Sequence, residues 1–315
     1  MEAAADKLLR KHIPAVLSRS VPLDARSAWL GHVPFARWIV AAQRPEVLVE
    51  LGTHAGASYF ALCQAIVDER VQGACIAVDT WEGDDHAGKY GEDIYEEFLE
   101  KNAAFDHFST PLRMTFDEAL DRVADNSVDL LHIDGLHTLE ASTHDFESWR
   151  PKLSERAVVL FHDIAEAKDD FGVWILWDQL QQEFPSFAFS HEHGLGVLGV
   201  GKQLAPDLEH LFALTGEAAD AFRAAFETVG IPIAENADHA RRARAQKDRV
   251  ANLDRQLNEV RSRLGDAQAS ISNLERERRH LRRVVAEMHA STTWRLGSLL
   301  LAPVRGLRGF RNRAL

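Results

Sequence analysis

Val47-Leu48-Val49-Glu50-Leu51-Gly52-Thr53-His54-Ala55-Gly56-Ala57-Ser58 reads as a short buried strand that runs into a glycine turn and then a helix start. Gly52 and Gly56 permit a tight turn and close backbone approach of a ligand, and Ser58 with the free amides lies at the start of the next helix. A pyrophosphate would need glycine at the second fingerprint position, where this chain has His54. The acid Glu50 beside the loop would repel phosphate and suits a cation. With Asp79 at the tip of the second strand placed to accept from ribose hydroxyls, acid, glycine turn and second acid together suit a ligand with an amino group, a ribose and no phosphates.

Outward from that stretch, short apolar runs alternate with helical patterns, the signature of a parallel sheet covered by helices. Strands are expected at Val47-Leu51, Cys75-Val78, Pro111-Met114, Val128-Ile133 and Ala157-Phe161. Two further runs, Phe187-Ser190 and Leu195-Val200, are separated by so few residues that they must pair antiparallel. Helices are expected at Arg26-Gln43, Ala57-Arg70, Glu92-Ala104, Phe116-Val123, Leu139-Trp149 and Gly172-Phe184. Two short helices should end at Gly230, with a boundary at Ile231-Pro232-Ile233.

From Val250 the period changes. Val250, Leu257, Leu264, Ile271 and Val285 form one seam, broken by Arg278, and Leu253, Val260, Ala267, Leu274, Leu281 and Met288 form the other. This 3,4 alternation predicts a coiled coil of about 60 Å and a homo-oligomer through residues 250-288. Arg249 with Asp254, and Glu277 with Arg282, would attract across a parallel dimer. A single long helix folded back on the globular part is the competing reading. The organisation expected is a helical lead-in at 1-45, a sheet domain at 46-203, a helical extension at 204-239, a coiled coil at 240-290 and a basic tail at 291-315.

The polar segments repeat at the strand exits. Val78-Asp79-Thr80-Trp81-Glu82-Gly83-Asp84-Asp85-His86-Ala87-Gly88-Lys89-Tyr90-Gly91, His132-Ile133-Asp134-Gly135-Leu136-His137 and Phe161-His162-Asp163 together resemble class I S-adenosylmethionine-dependent methyltransferases. More narrowly, they resemble a bacterial subgroup associated with cell-surface glycan biosynthesis. The resemblance spans Glu46 to Gly201 and implies an α/β, Rossmann-like sheet, mostly parallel with an antiparallel last strand. Leu153-Ser154-Glu155-Arg156 departs from the glycine pair common in that family, at the edge away from the cofactor.

S-adenosylmethionine is the cofactor the resemblance implies. Glu50 would take its amino group, Gly52, Thr53, Gly56 and Ser58 the turn beneath it, and Asp79 with Thr80 the ribose, while Met114 and Thr115 would pack against adenine and Asp134 would close the set. Methyl transfer to a hydroxyl needs the acceptor deprotonated. A divalent ion, Mg or Mn, on Asp134, His162 and Asp163 would do this. Alternatively His137 would act as general base, with Asp134 and His162 as its catalytic neighbours. Both routes stay open. Trp81, His86 and Tyr90 are candidates for the acceptor, a sugar or glycan, because loops at this edge carry specificity. His191-Glu192-His193 reads as a surface turn.

The net charge of -12 conceals -23 over residues 1-239 and +11 over 240-315. The acidic body argues against nucleic acid. The tail carries five arginines, no acid and large apolar residues from Trp294 to Phe310. It suits peripheral contact with an anionic membrane or with a glycosyltransferase. No secretory signal is read at Met1-Leu17, and no apolar run is long enough to span a bilayer. Cys63 and Cys75 suit a reduced, cytoplasmic chain, placed at the inner face of the membrane by its tail. A non-catalytic scaffold or chain-length regulator in a glycan-assembly complex, or a hydroxylase-like or dehydrogenase relative, is the alternative.

Overall fold

A computed structural model describes residues 2-17, 27-84 and 88-300. Seven strands form one sheet: β1 Val47–Leu51, β2 Ala74–Asp79, β3 Ser109–Arg113, β4 Val128–Ile133, β5 Leu153–His162, β6 Ser186–Phe189 and β7 Leu195–Gly199. Their order is β3-β2-β1-β4-β5-β7-β6, in which β7 runs antiparallel to both β5 and β6 and the remaining neighbours pair in parallel. Central strands of such a sheet are covered on both faces. Consistent with this, every residue of β4 is buried, and β1 is buried after its first residue. The chain reverses its strand order between β1 and β4, so the exits of these strands form the crevice where ligands bind in such sheets.

Beside the sheet stand helices α1 Glu2–Val16, α2 Val33–Gln43, α3 Ala57–Asp68, α4 Glu92–Asn102, α5 Phe116–Ala119, α6 Leu139–Trp149, α7 Val173–Glu183, α8 Pro206–Phe212 and α9 Gly216–Ala290, and a short antiparallel pair, Gly83–Asp84 with Gly88–Lys89. One face of the sheet packs Trp38, Phe35, Tyr59 and Leu62 against Leu48, Leu130 and Leu160. The other packs Phe146, Trp149, Val173 and Trp177 against Val49, Leu131 and Val159. Odd and even residues of the strands divide between the faces as the strand period requires, except at Val128, where the register of β4 on β5 shifts before Leu130. A 3-10 turn, Ala28–His32, stands where the sequence predicts the start of one lead-in helix.

The expected break at Ile231-Pro232-Ile233 is absent. α9 passes through Pro232, and Gly230 does not terminate it. Gly230 serves packing instead, because a Cβ there would lie 1.9 Å from the Gly31 carbonyl oxygen. Phe222 and Phe226, one turn apart on the same helix face, fill the adjoining core against Trp38 and Phe35.

The contacts divide the chain into Met1–Arg242 and Ala243–Leu315. In the second unit the seam residues stand exposed, by 47% at Leu257 to 64% at Leu274. Among the described residues, no helix is long and apolar enough to cross a membrane. Residues 301-315 of the basic tail lie outside the described residues, as do Asp85 and His86.

Candidate active site

Gly52 leaves β1 with φ +87°, and a Cβ on it would lie 2.1 Å from the Asp134 carbonyl oxygen. Glycine is required there by both conformation and space. The Asp134 amide donates to the Leu51 carbonyl (2.9 Å), and the Gly52 amide donates to the Val78 carbonyl (2.9 Å), so the exits of β1, β2 and β4 are tied together. Gly56, also at positive φ, caps α3, and Ser58 is buried in that helix's first turn.

Asp79 is a clamp. One carboxylate oxygen accepts the His54 amide (2.7 Å) and the other the Trp81 amide (2.7 Å), and both donors sit at positive φ. Burial pushes its pKa up, with the two amides pulling the other way. Each oxygen retains a lone pair for a ligand hydroxyl. The Thr80 hydroxyl accepts the Glu82 amide (3.3 Å).

One expected ligand contact is placed elsewhere. Trp81 is 1% exposed, with its ring against Tyr95 and Phe98 and its indole N–H donating to the His54 carbonyl (2.8 Å). It is a core side chain that fixes the loop, not an acceptor-facing ring. Thr115 closes a capping box with Glu118 at the start of α5, which occupies its hydroxyl. Met114, half-buried, donates its amide to the Asp79 carbonyl (3.0 Å). Tyr90 does stay at the rim, its ring 4.5 Å from that of His54, and burial with Asp84, Asp79 and Asp134 nearby raises its pKa.

Glu50 lies fully inside. Trp29 Nε1 donates to His132 Nε2 (3.1 Å), which leaves His132 Nδ1 to donate to Glu50 Oε2 (2.8 Å). Burial raises the Glu50 pKa. Two acceptors at the β1 exit, Glu50 Oε1 and Thr53 Oγ1, are buried without a partner. Orphaned acceptors at such a place fit a donor-bearing ligand.

The exits of β4 and β5 converge. Asp134 Oδ1 is 3.3 Å and Asp163 Oδ2 3.5 Å from His162 Nδ1, while His162 Nε2 donates to the Glu192 carbonyl (3.1 Å). His137 Nε2 is 2.7 Å from Asp163 Oδ2 and 3.5 Å from Asp134 Oδ1, and its ring stacks on Phe171 at 4.7 Å. Asp163 holds φ +60°, a backbone strain of the kind found at functional sites. Asp134, His162 and Asp163 offer ligand atoms all within 4.8 Å of one another, a donor set that fits a divalent cation. One imidazole among two carboxylates suits Mn better than Mg.

Burial opposes charge on all four side chains, but their mutual pairing outweighs it. His137 is raised to about 9 and His162 to about 10, whereas Asp163 is lowered to about 2 and Asp134 sits well below the usual carboxylate range. His137 thus holds its proton near neutral pH in this arrangement, contrary to the expectation of a base poised near working pH. A cation on the carboxylates would weaken that hold.

The turn after β6 is more than surface. The His191 ring lies tilted against that of His32 at 4.4 Å, and His32 lies 5.8 Å from His162, with both His32 nitrogens lacking a hydrogen-bond partner. Sequence reasoning missed His32, Trp29, His132 and Phe171, because no local spacing ties them to strand exits far away in the chain.

Residues 49–164 match the family model described as a methyltransferase domain. The matched segment runs from within β1 to just past β5 of the Rossmann-like sheet. An uncharacterized protein of Sinorhizobium fredii is 51% identical over 195 residues, 62% of this chain and 22% of that protein. The chain spans about a fifth of the curated relative it matches (22%). Among solved structures, the O-methyltransferase TomG from Streptomyces achromogenes, involved in tomaymycin synthesis and solved with S-adenosylmethionine, is 16% identical. The match covers 63% of this chain and 89% of that one, at a TM-score of 0.42. The O-methyltransferase from Bacillus cereus, solved with S-adenosylhomocysteine, is 14% identical over 62% of this chain and 90% of its own, at 0.40.

Proposed function

We propose that this chain transfers the methyl group of S-adenosylmethionine to a hydroxyl oxygen of a sugar or glycan intermediate in cell-surface polysaccharide assembly. The observation that carries the oxygen-transfer reading is the convergence of Asp134, His162 and Asp163 beside the Gly52 turn. The glycan acceptor rests on the resemblance of the segments 78-91, 132-137 and 161-163.

The chain's own residues divide the work. Glu50 Oε1 and Thr53 Oγ1 accept from the methionine amino group, Gly52 lets the backbone approach the cofactor, and Asp79 accepts from the ribose while holding the loop. Asp134, His162 and Asp163 hold a divalent cation, which when bound lowers the pKa of an acceptor hydroxyl. His137, held by Phe171, Asp134 and Asp163, is the imidazole that would take the acceptor proton. Tyr90 flanks the acceptor. The basic segment from residue 291 contacts an anionic inner membrane surface or a glycosyltransferase.

Calorimetry with S-adenosylhomocysteine, followed by a labelled-methyl assay on lipid-linked glycans with and without exhaustive chelation, tests this reading. Binding of the nucleoside with chelator-sensitive label in glycan is expected. A protein that binds no S-adenosylhomocysteine would overturn it. Flotation of the full chain, against one ending at Ala290, on phosphatidylglycerol vesicles tests the tail.

A further inference from the structure

The seam of α9 is an unpartnered apolar face on a helix whose flanks carry an ordered set of charges. Ten large apolar residues from Val250 to Met288 stand 47% to 64% exposed. A concavity among Leu274, Glu277, Arg278, Leu281, Arg282 and Val285 opens on the same face. Whatever covers this face must match both the 3.5-residue period and the flanking charges.

A parallel, in-register second copy matches poorly. Arg278 would face its own equivalent across the seam, and only Arg249 with Asp254 and Glu277 with Arg282 would attract. The reversed orientation matches better. With Val250 level with Met288, Leu257 with Leu281 and Leu264 with Leu274 of the second copy, both seams overlap fully. The small Ala267 then meets Ile271, and Arg278 meets Val260, over which its apolar stem can lie. The flanking positions pair Asp254 with Arg282, Arg261 with Glu275 and Arg263 with Glu277, each twice by symmetry and each of opposite sign. Gln268 and Ser270 meet their own equivalents near the centre.

This register is singled out by charge. Sliding one copy by a heptad in one direction sets Asp254 against Glu275, and sliding it in the other sets Arg261 against Arg282. The unshifted register also places Leu257 and Val260 of the second copy level with the concavity around Leu281 and Arg278. We infer that α9 associates with a second copy of this chain as an antiparallel two-stranded coiled coil in this register. The start of the coil in one copy then lies beside its end in the other.

Charge exchange in the full chain tests the orientation. Arg282→Glu sets two repulsive pairs with Asp254 and should raise the dimer dissociation constant, measured by sedimentation, by roughly tenfold or more. Adding Asp254→Arg restores the antiparallel pairs and should return the constant to near wild type. In a parallel dimer the double variant would instead set a like charge against Arg249 and another against Glu277, and would weaken association further. Disulfide trapping gives a second readout, since native Cys63 and Cys75 are buried. Leu253→Cys with Val285→Cys should cross-link two chains, and Val285→Cys alone should not. A monomer or trimer in sedimentation, failed rescue, or efficient cross-linking of the single variant would overturn the inference.

Discussion

Replacing Gly52 with alanine should damage the site without touching a reacting group. At φ +87° an alanine is strained by roughly 1–2 kcal/mol. Its Cβ would also stand 2.1 Å from the Asp134 carbonyl oxygen, 2.6 Å from the carbonyl carbon and 2.9 Å from the Gly135 nitrogen. Ordinary contact begins near 3.4 Å, so the β4 exit must retreat by about 1.3 Å. Overpacking of that kind costs a further 1–3 kcal/mol, approximately. The sum, about 3 kcal/mol, predicts a melting temperature lower by roughly 6–12 °C. Displacement of Asp134 by more than 1 Å should also cut methyl transfer by about 100-fold. Thermal unfolding and single-turnover transfer on the same preparation separate the two effects. A Gly52→Ala variant that melts with the wild type and transfers methyl at its rate would refute the argument that this carbonyl contact fixes the site.

Other perturbations have separable outcomes. Asp145, buried beside the Gly135 turn, has its pKa raised to about 7 by burial, so its ionisation opposes folding. The penalty is absent below about pH 4, grows up to pH 7 and then holds at about 4 kcal/mol. Asp145→Asn should therefore raise the melting temperature at pH 8 and leave it unchanged at pH 4; a gain at pH 4 as large as at pH 8 would contradict the assignment. Trp81→Ala should cost about 3–5 kcal/mol, as loss of a buried ring does, whereas Trp81→Phe should keep the acceptor KM. A raised KM with unchanged stability would return Trp81 to the acceptor. Manganese at a hundred times its dissociation constant should stabilise the wild type by about 2.7 kcal/mol and Asp163→Asn far less. Equal shifts in both proteins would remove Asp163 from the cation.

The sheet was readable because its evidence is local: seven apolar runs, most of them separated by helical patterns, and a connection after Phe189 too short for a parallel crossover. Strand exits carrying Asp79, Asp134 and His162-Asp163 follow from that reading, since exits of neighbouring parallel strands share an edge. Trp81 was misplaced for another reason. It is chemically suited to a ligand, but its ring finds Phe98 and Tyr95 on α4. Competition between partners is decided by packing, which composition does not reveal. The Pro232 boundary failed in the same way, because the phenyl rings of Phe222 and Phe226 anchor the first turns of α9 and the helix continues past one missing amide.

Gly31 and Gly230 have a consequence for genetics. A Cβ on Gly230 would run into the Gly31 carbonyl, and a Cβ on Gly31 would run into the Glu192 side chain, whose backbone oxygen anchors His162. A mutational scan scored on activity alone would therefore rank these two glycines with the catalytic side chains, although neither meets cofactor or acceptor. Scoring abundance alongside activity would separate them, and the pair would then mark the joint through which α9 supports the cation cluster.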